Sequence, residues 1–295
     1  MPDGRADRRK IRKMNTGQRK YWKTHAKAHL RGKWGIAIAG MLAVQGFNLL
    51  GSVFATALFP GDSVITLVLS EIFSFIISLI GLIFATGYCY MELNIYRGKE
   101  YKLGDLVYMF HGQSDHVLTA GLVITLLNTV AQIPVYYVTY AVDQGTTMES
   151  MLRWSRLFFI TVTFSLVMSV ILTVPYTLVF CLLADHPELG GMEALRTSAR
   201  LMKGHIIQYL LLELSFVPLM FLSMFTVYIG FLWLLPYMEF TETAFYLYVT
   251  GELEEQRLEQ ERAARDEIEQ RLVAVQEEDA EKAMEQRRDD YNSEA

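Results

Sequence analysis

The chain reads as all-α: a polytopic transmembrane bundle of six spans in three hairpins, with amphipathic interfacial helices and a charged cytoplasmic C-terminal helix. Three observations carry that reading. Hydrophobic residues make up 52% of the 295 residues although 20% are charged, and mean hydropathy is +0.22. The charge is segregated, with no Lys or Arg in 34–96, 103–152, 157–195 or 204–256. Each ionised side chain at bilayer depth costs several kcal/mol, so such segregation is what insertion demands. The tails are opposite in sign, +10 over 1–33 and −9 over 251–295. Whole-chain charge therefore says little about partners.

Spans are expected wherever about 20 mostly apolar residues follow one another. The first covers 34–59 and the second 64–92, joined by the Pro60-Gly61-Asp62 turn. The third covers about 117–141 and the fourth about 157–183. As a single helix, 206–249 would be ~66 Å long, twice a ~30 Å hydrocarbon core. A break near Tyr228-Ile229-Gly230 is therefore expected, giving spans 206–227 and 230–249. Gly35, Ala39 and Ala43 form a small-residue stripe suited to close packing within the first span.

Lys and Arg in the loops set the orientation. The N-tail, the connectors 93–116 and 184–205, and the C-tail carry most of the basic residues. The positive-inside rule then predicts a cell-membrane protein with both termini cytoplasmic. Arg153 and Arg156 dissent and suit interfacial anchors beside Trp154. Cys89 and Cys181 give no disulfide framework; near the cytoplasmic span ends they are expected as reduced thiols. The basic N-terminus lacks a signal-peptide pattern and leads into a first span.

Two connectors look like helices lying on the membrane. In 192–203, Ala194, Leu195, Ser198, Leu201 and Met202 share a face, with Arg196, Arg200 and Lys203 on another. Asp185 and Glu188 suit a capping box ahead of it, and Gly204 an end. In 20–31, Lys20, Lys23, Lys27 and Arg31 form a basic stripe ending at Gly32. Both stripes are candidate contacts for the anionic inner leaflet, at roughly 1 kcal/mol per basic residue. Ala28-His29-Leu30-Arg31-Gly32, Arg200-Leu201-Met202-Lys203-Gly204 and, more weakly, Phe110-His111-Gly112 each precede a span. An internal repeat would explain this, but a shared need for interfacial helices is the plainer account.

Ala184-Asp185-His186-Pro187-Glu188 and the run from Glu193 to Gly204 resemble bacterial integral membrane proteins grouped as domain of unknown function 975. So do Leu214-Ser215-Phe216, the run from Gly230 to Tyr237, Ala244-Phe245-Tyr246, Arg97-Gly98-Lys99-Glu100 and Asp105-Leu106. The resemblance covers about 20–250 and leaves out the charged C-tail. It implies a multi-span protein, usually of Gram-positive bacteria, with no established activity.

The candidate chemistry is sparse. Glu71, Glu213, Glu239 and Glu242 lie in apolar segments without Lys or Arg, where an ionisable group is a functional candidate by default. A structural, hydrogen-bonded carboxyl is the plainer account, favoured for Glu71 and Glu213. Glu239, close after Pro236 and nearest the midplane, is balanced between the two. Asn128 and Gln132 could line a polar path, but such residues more often bond neighbouring helices. His25 and His29 have a zinc-compatible spacing, yet Ala26 stands where a metalloprotease has Glu, and the basic helix would repel a cation. No GxSxG, Walker loop or GxGxxG occurs.

The expectation is a non-enzymatic scaffold or accessory component with no cofactor, metal or nucleic-acid partner. The alternative is a small-molecule or lipid transporter using the intramembrane carboxylates. The C-tail from 251 to about 288 should be helical; Leu258, Ile268, Leu272 and Val275 give an interrupted stripe, not a sustained coiled coil. Its acidity suits contact with the basic N-tail, within one chain or between copies.

Overall fold

The computed structural model describes residues 4–61, 63–259, 262, 265, 266 and 268–271, with side chains from Gly17 onward except at position 64. Every regular element among them is helical. The chain divides into two units, Met1–Val249 and Thr250–Ala295. In the second, residues 252–259 are helical. Residues 262, 265, 266 and 268–271 are helical as well, and Leu258 and Ile268 are exposed. Leu272, Val275 and the residues beyond lie outside the described residues, as do the N-tail side chains before Gly17 that would test contact between the tails.

The first unit runs α1 (Gly4–Leu30), α2 (Trp34–Leu58), α3 (Val64–Tyr96), a 3-10 segment (Leu103–His111), α4 (Ser114–Ala141) and α5 (Met148–Thr173). There follow α6 (Val179–Asp185), α7 (Gly191–Met202), α8 (Ile206–Leu214), α9 (Val217–Phe225) and α10 (Phe231–Thr250). Five segments among the described residues are long and apolar enough to cross a bilayer: Trp34–Leu58, Ile65–Tyr96, Ser114–Ala141, Met148–Asp185 and Ile206–Phe225. Their outer faces expose large apolar side chains, with Ile65 72%, Phe159 68% and Phe225 84% accessible. Apolar surface on that scale belongs in lipid, not water.

Helix packing follows small residues. Along α2 the close-contact positions are Ala37, Gly40, Val44, Gly51 and Ala55, so the stripe of Gly35, Ala39 and Ala43 is corrected by about one residue. Gly35 meets nothing, whereas a Cβ on Gly40 would stand 2.7 Å from the Tyr88 ring and one on Gly51 2.1 Å from Ile77. Both contacts join α2 to α3. Pairing also joins α4 to α5, with Ser169 donating to Asn128 Oδ1 at 2.5 Å. Phe216 meets Tyr237 edge-on at 5.5 Å, which links the α8–α9 turn to α10.

The fourth apolar segment starts earlier than expected. Thr147 and Ser150 cap α5 reciprocally, so Arg153 and Arg156 lie within its first turns and not in a loop. Pro175, which lacks an N–H, coincides with a 3-10 turn (Val174–Tyr176) between α5 and α6. Residues 206–227 form two short helices, not one, because Ser215-Phe216 interrupts them and Pro218 sits in the first turn of α9. The break near Gly230 is present: Val227 and Tyr228 both take positive φ, at 53° and 65°.

Three further expectations change. Asp185 caps no helix; it ends α6, and α7 begins at Gly191 with Gly190 before it. Its carboxylate receives a two-pronged hydrogen bond from Arg97, at 2.6 and 2.9 Å. Cys89 and Cys181 are joined in a disulfide tying α3 to α6, with Cα atoms 5.5 Å apart. The packing of two sequence-distant helices brings them together, which local spacing does not reveal. Finally, the apolar faces of α1 and α7 meet protein. Ala194, Leu195, Ser198 and Met202 are buried, and α7 packs on α4 and α6.

In α1, Trp22, Ala26 and Leu30 are buried, with Trp22 edge-on to Phe245 at 5.1 Å. Gly32 (φ 81°) and Gly204 (φ 95°) end the two helices as expected. His25 stacks on Tyr96 at 5.6 Å and lies 4.4 Å from His29. Burial, with a smaller contribution from His29, lowers its pKa from 6.5 to about 4. A buried neutral His resists protonation, so its docking contribution is complete above about pH 6.5 and lost as pH falls through the window down to about 4. Protease sensitivity of α1 should therefore rise across that window, and less steeply in His25→Gln.

Candidate functional site: carboxylates around the central helix

Helix α10 is buried along most of its length, with Phe240, Ala244, Phe245 and Tyr246 inaccessible, whereas Trp233 and Glu239 are exposed. A helix enclosed by protein can carry polar side chains that lipid would not accept. Glu242 and Thr243 accordingly face inward, toward Tyr209 and Glu92. Glu239 is the hub: it lies within electrostatic reach of Glu92 on α3, Glu242 one turn on, and Glu213 on α8.

Each of the other three carboxylates has its own setting. Glu92 is 1% accessible; Thr243 donates to its Oε2, while Oε1 has no hydrogen-bond partner. Glu242 accepts from Tyr209. Glu213 leaves Oε1 without a partner and faces the Lys23 ammonium of α1. Burial lowers the Lys23 pKa, and the Glu213 charge opposes that shift.

Glu239 differs in having space before it. Its side chain is exposed and borders a cavity of about 270 Å³ between α2, α3 and α10. Gln45, Asn48, Ser78 and Tyr88 supply the cavity's other polar groups. Tyr88 donates its hydroxyl proton to Ala37 O at 3.0 Å, which leaves its oxygen lone pairs for a guest. Asn48 donates to Val44 O at 3.1 Å. Gly81 makes room for that side chain, since a Cβ there would stand 2.3 Å from Asn48 Oδ1. One carboxylate and several neutral oxygens, with no Lys or Arg in the lining, make a setting for a small cation.

Of the residues singled out from sequence, Glu213, Glu239 and Glu242 come together. Glu71 does not; it is exposed near the far end of α3, close to Tyr136. Asn128 serves the α4–α5 contact, and Gln132 is half-buried on α4 away from the cavity lining. Lys20, Lys27, Arg31, Arg196, Arg200 and Lys203 are exposed and Lys23 is half-buried. Sequence reasoning missed Glu92, though it lies inside the 34–96 stretch devoid of Lys and Arg. It also missed Gln45, Asn48, Ser78 and Tyr88, which look unremarkable until α2 and α3 are packed. Among the described residues no group of three or more His, Cys, Asp or Glu could hold a metal ion.

A family described as protein of unknown function (DUF975) matches residues 14–252. No curated protein and no solved structure matches the chain.

Proposed function

The chain belongs to the DUF975 family of unknown function, and from its own interior we propose a multi-pass membrane protein that binds a small monovalent cation at Glu239. The observation that carries this reading is the exposed carboxylate of Glu239, the lone charged group lining a cavity between α2, α3 and α10. The cavity suits an alkali ion or a small ammonium compound better than a bulky lipid. This is the transporter class of function; a scaffold or accessory role is what the sequence first suggested.

The proposal includes six crossings, with α10 as the sixth. Its 20 residues span ~30 Å, enough for the hydrocarbon core. Protein, not lipid, covers most of its surface, which accounts for its lower apolarity. Both termini are then cytoplasmic in a cell membrane, as the distribution of Lys and Arg supports.

Thermal unfolding of the full-length chain in detergent tests the binding, with sodium, potassium, ammonium, tetramethylammonium and choline compared at constant ionic strength. A cation at about 100 times its Kd stabilises by about 2.7 kcal/mol, or several degrees in Tm. One or more of the five should raise the melting temperature of wild type and Glu71→Gln but not of Glu239→Gln. If none distinguishes wild type from Glu239→Gln, the binding reading fails and the scaffold role stands in its place.

A further inference from the structure

A second pocket, separate from the acidic core, lies where α1 meets the α8–α9 turn and α10. It measures about 600 Å³. Arg19, Lys20, Lys23 and Lys27 line one wall, and Ser215 with Tyr237 the other. The four basic residues occupy positions i, i+1, i+4 and i+8 of α1, which turns them toward one side of the helix. No carboxylate belongs to the lining.

Two of the four hold the pocket together. Arg19 Nη1 donates to Leu211 O at 3.2 Å. Lys23 Nζ donates to Ser215 O at 3.1 Å and sits 3.6 Å over the Phe216 ring. Tyr237 closes the floor, its hydroxyl donating to Lys23 O at 3.3 Å. Lys20 and Lys27 are exposed and make no ion pair among the described residues. The architecture thus fixes two cations by backbone contacts and leaves two ammonium groups at the mouth.

We propose that this pocket binds an anionic phosphoryl group, with Lys20 and Lys27 as its charge partners and Tyr237 and Thr24 beside it. Phosphoryl oxygens match clustered ammonium and guanidinium donors. The phosphoryl group can arrive on a lipid headgroup or as a free phosphate. The position favours a lipid, because Leu214, next to Ser215 in the chain, is an apolar side chain 63% accessible. A headgroup in the pocket would place its acyl chains against that apolar surface, and it would pin α1 to the bundle.

The test uses the full-length chain in detergent micelles, with phosphatidylglycerol or phosphatidylcholine titrated in and bound lipid counted by native mass spectrometry. Each lysine contributes roughly five-fold near an anionic surface. K20Q/K27Q should therefore bind phosphatidylglycerol roughly 30-fold more weakly than wild type, with phosphatidylcholine unaffected. R196Q/R200Q, which removes exposed charge from α7, should bind as wild type does. In a parallel arm without lipid, inorganic phosphate is titrated while melting is followed. Stabilisation by phosphate that is lost in K20Q/K27Q supports the site with free phosphate as its source; no stabilisation by phosphate, beside phosphatidylglycerol binding weakened in K20Q/K27Q, assigns it to lipid. Wild-type binding of both ligands by K20Q/K27Q, or equal weakening by the two double variants, overturns the proposal.

Discussion

Arg97→Ala should lower stability by about 3–5 kcal/mol, the cost of breaking one side of a largely buried ion pair. The guanidinium of Arg97, at the end of α3, clasps Asp185 at the end of α6 with two parallel hydrogen bonds, at 2.6 and 2.9 Å. Only 21% of the Arg97 side chain and 12% of the Asp185 side chain are accessible. Tyr246 of α10 donates to the same carboxylate at 2.9 Å, so three helices converge on one charge. Removing Arg97 leaves that carboxylate with a phenol and the more distant His186, at 3.8 Å. Lys should not restore the loss, since an ammonium cannot reproduce the planar fork. In thermal unfolding, R97A/D185N should recover part of what R97A alone loses, because the uncompensated charge is gone. Equal melting of R97A and wild type would remove this clasp from the account.

Gly87→Ala should cost about 1–3 kcal/mol by overpacking, a large penalty for a single methyl group. A Cβ at position 87 would stand 2.2 Å from Leu106 O and 2.8 Å from Asp105 O. Those atoms are backbone and cannot rotate away, so the 3-10 segment Leu103–His111 must lift from α3. Leu106 and Met109, both buried, would lose their contacts with it. The stacking of Tyr90 on Tyr108, with centroids 4.0 Å apart, would open as well. Faster proteolysis between 97 and 113, together with a lower melting temperature, is the expected signature. Gly35→Ala, whose Cβ meets nothing within 4 Å, is the matched control.

What sequence revealed and what it hid follow from the range of the physics involved. Bilayer solvation acts residue by residue, so the apolar segments were legible from the absence of Lys and Arg, except that the fourth begins at Met148 and takes in Arg153 and Arg156. The stops at Gly32 and Gly204 were legible too, because backbone chirality is local, and the break near Gly230 because one helix over 206–249 would be about twice the bilayer's thickness. Depth within the bundle was not. The apolar faces of α1 and α7 look the same whether they meet lipid or protein, and they meet protein. Asp185 reads as a cap until Arg97, 88 residues away, comes beside it. The disulfide pair shares that character, as does the α2–α3 cavity; Glu92 was visible and overlooked. The three clustered carboxylates on α8 and α10 were found because a charge in an apolar run is conspicuous on its own. Gln45, Asn48 and Ser78 carry no such signal.

The central claim is that Glu239, within reach of the buried carboxylate of Glu92, faces space a cation can enter. Carbodiimide labelling of the full-length protein in liposomes, mapped by mass spectrometry, tests it most directly. Glu239 should be modified, and the cation that raises the melting temperature should suppress its modification. Glu92, which has no access to the cavity, should stay unmodified throughout. An unmodified Glu239 beside a labelled Glu71, or labelling of Glu239 that no cation suppresses, would contradict the account.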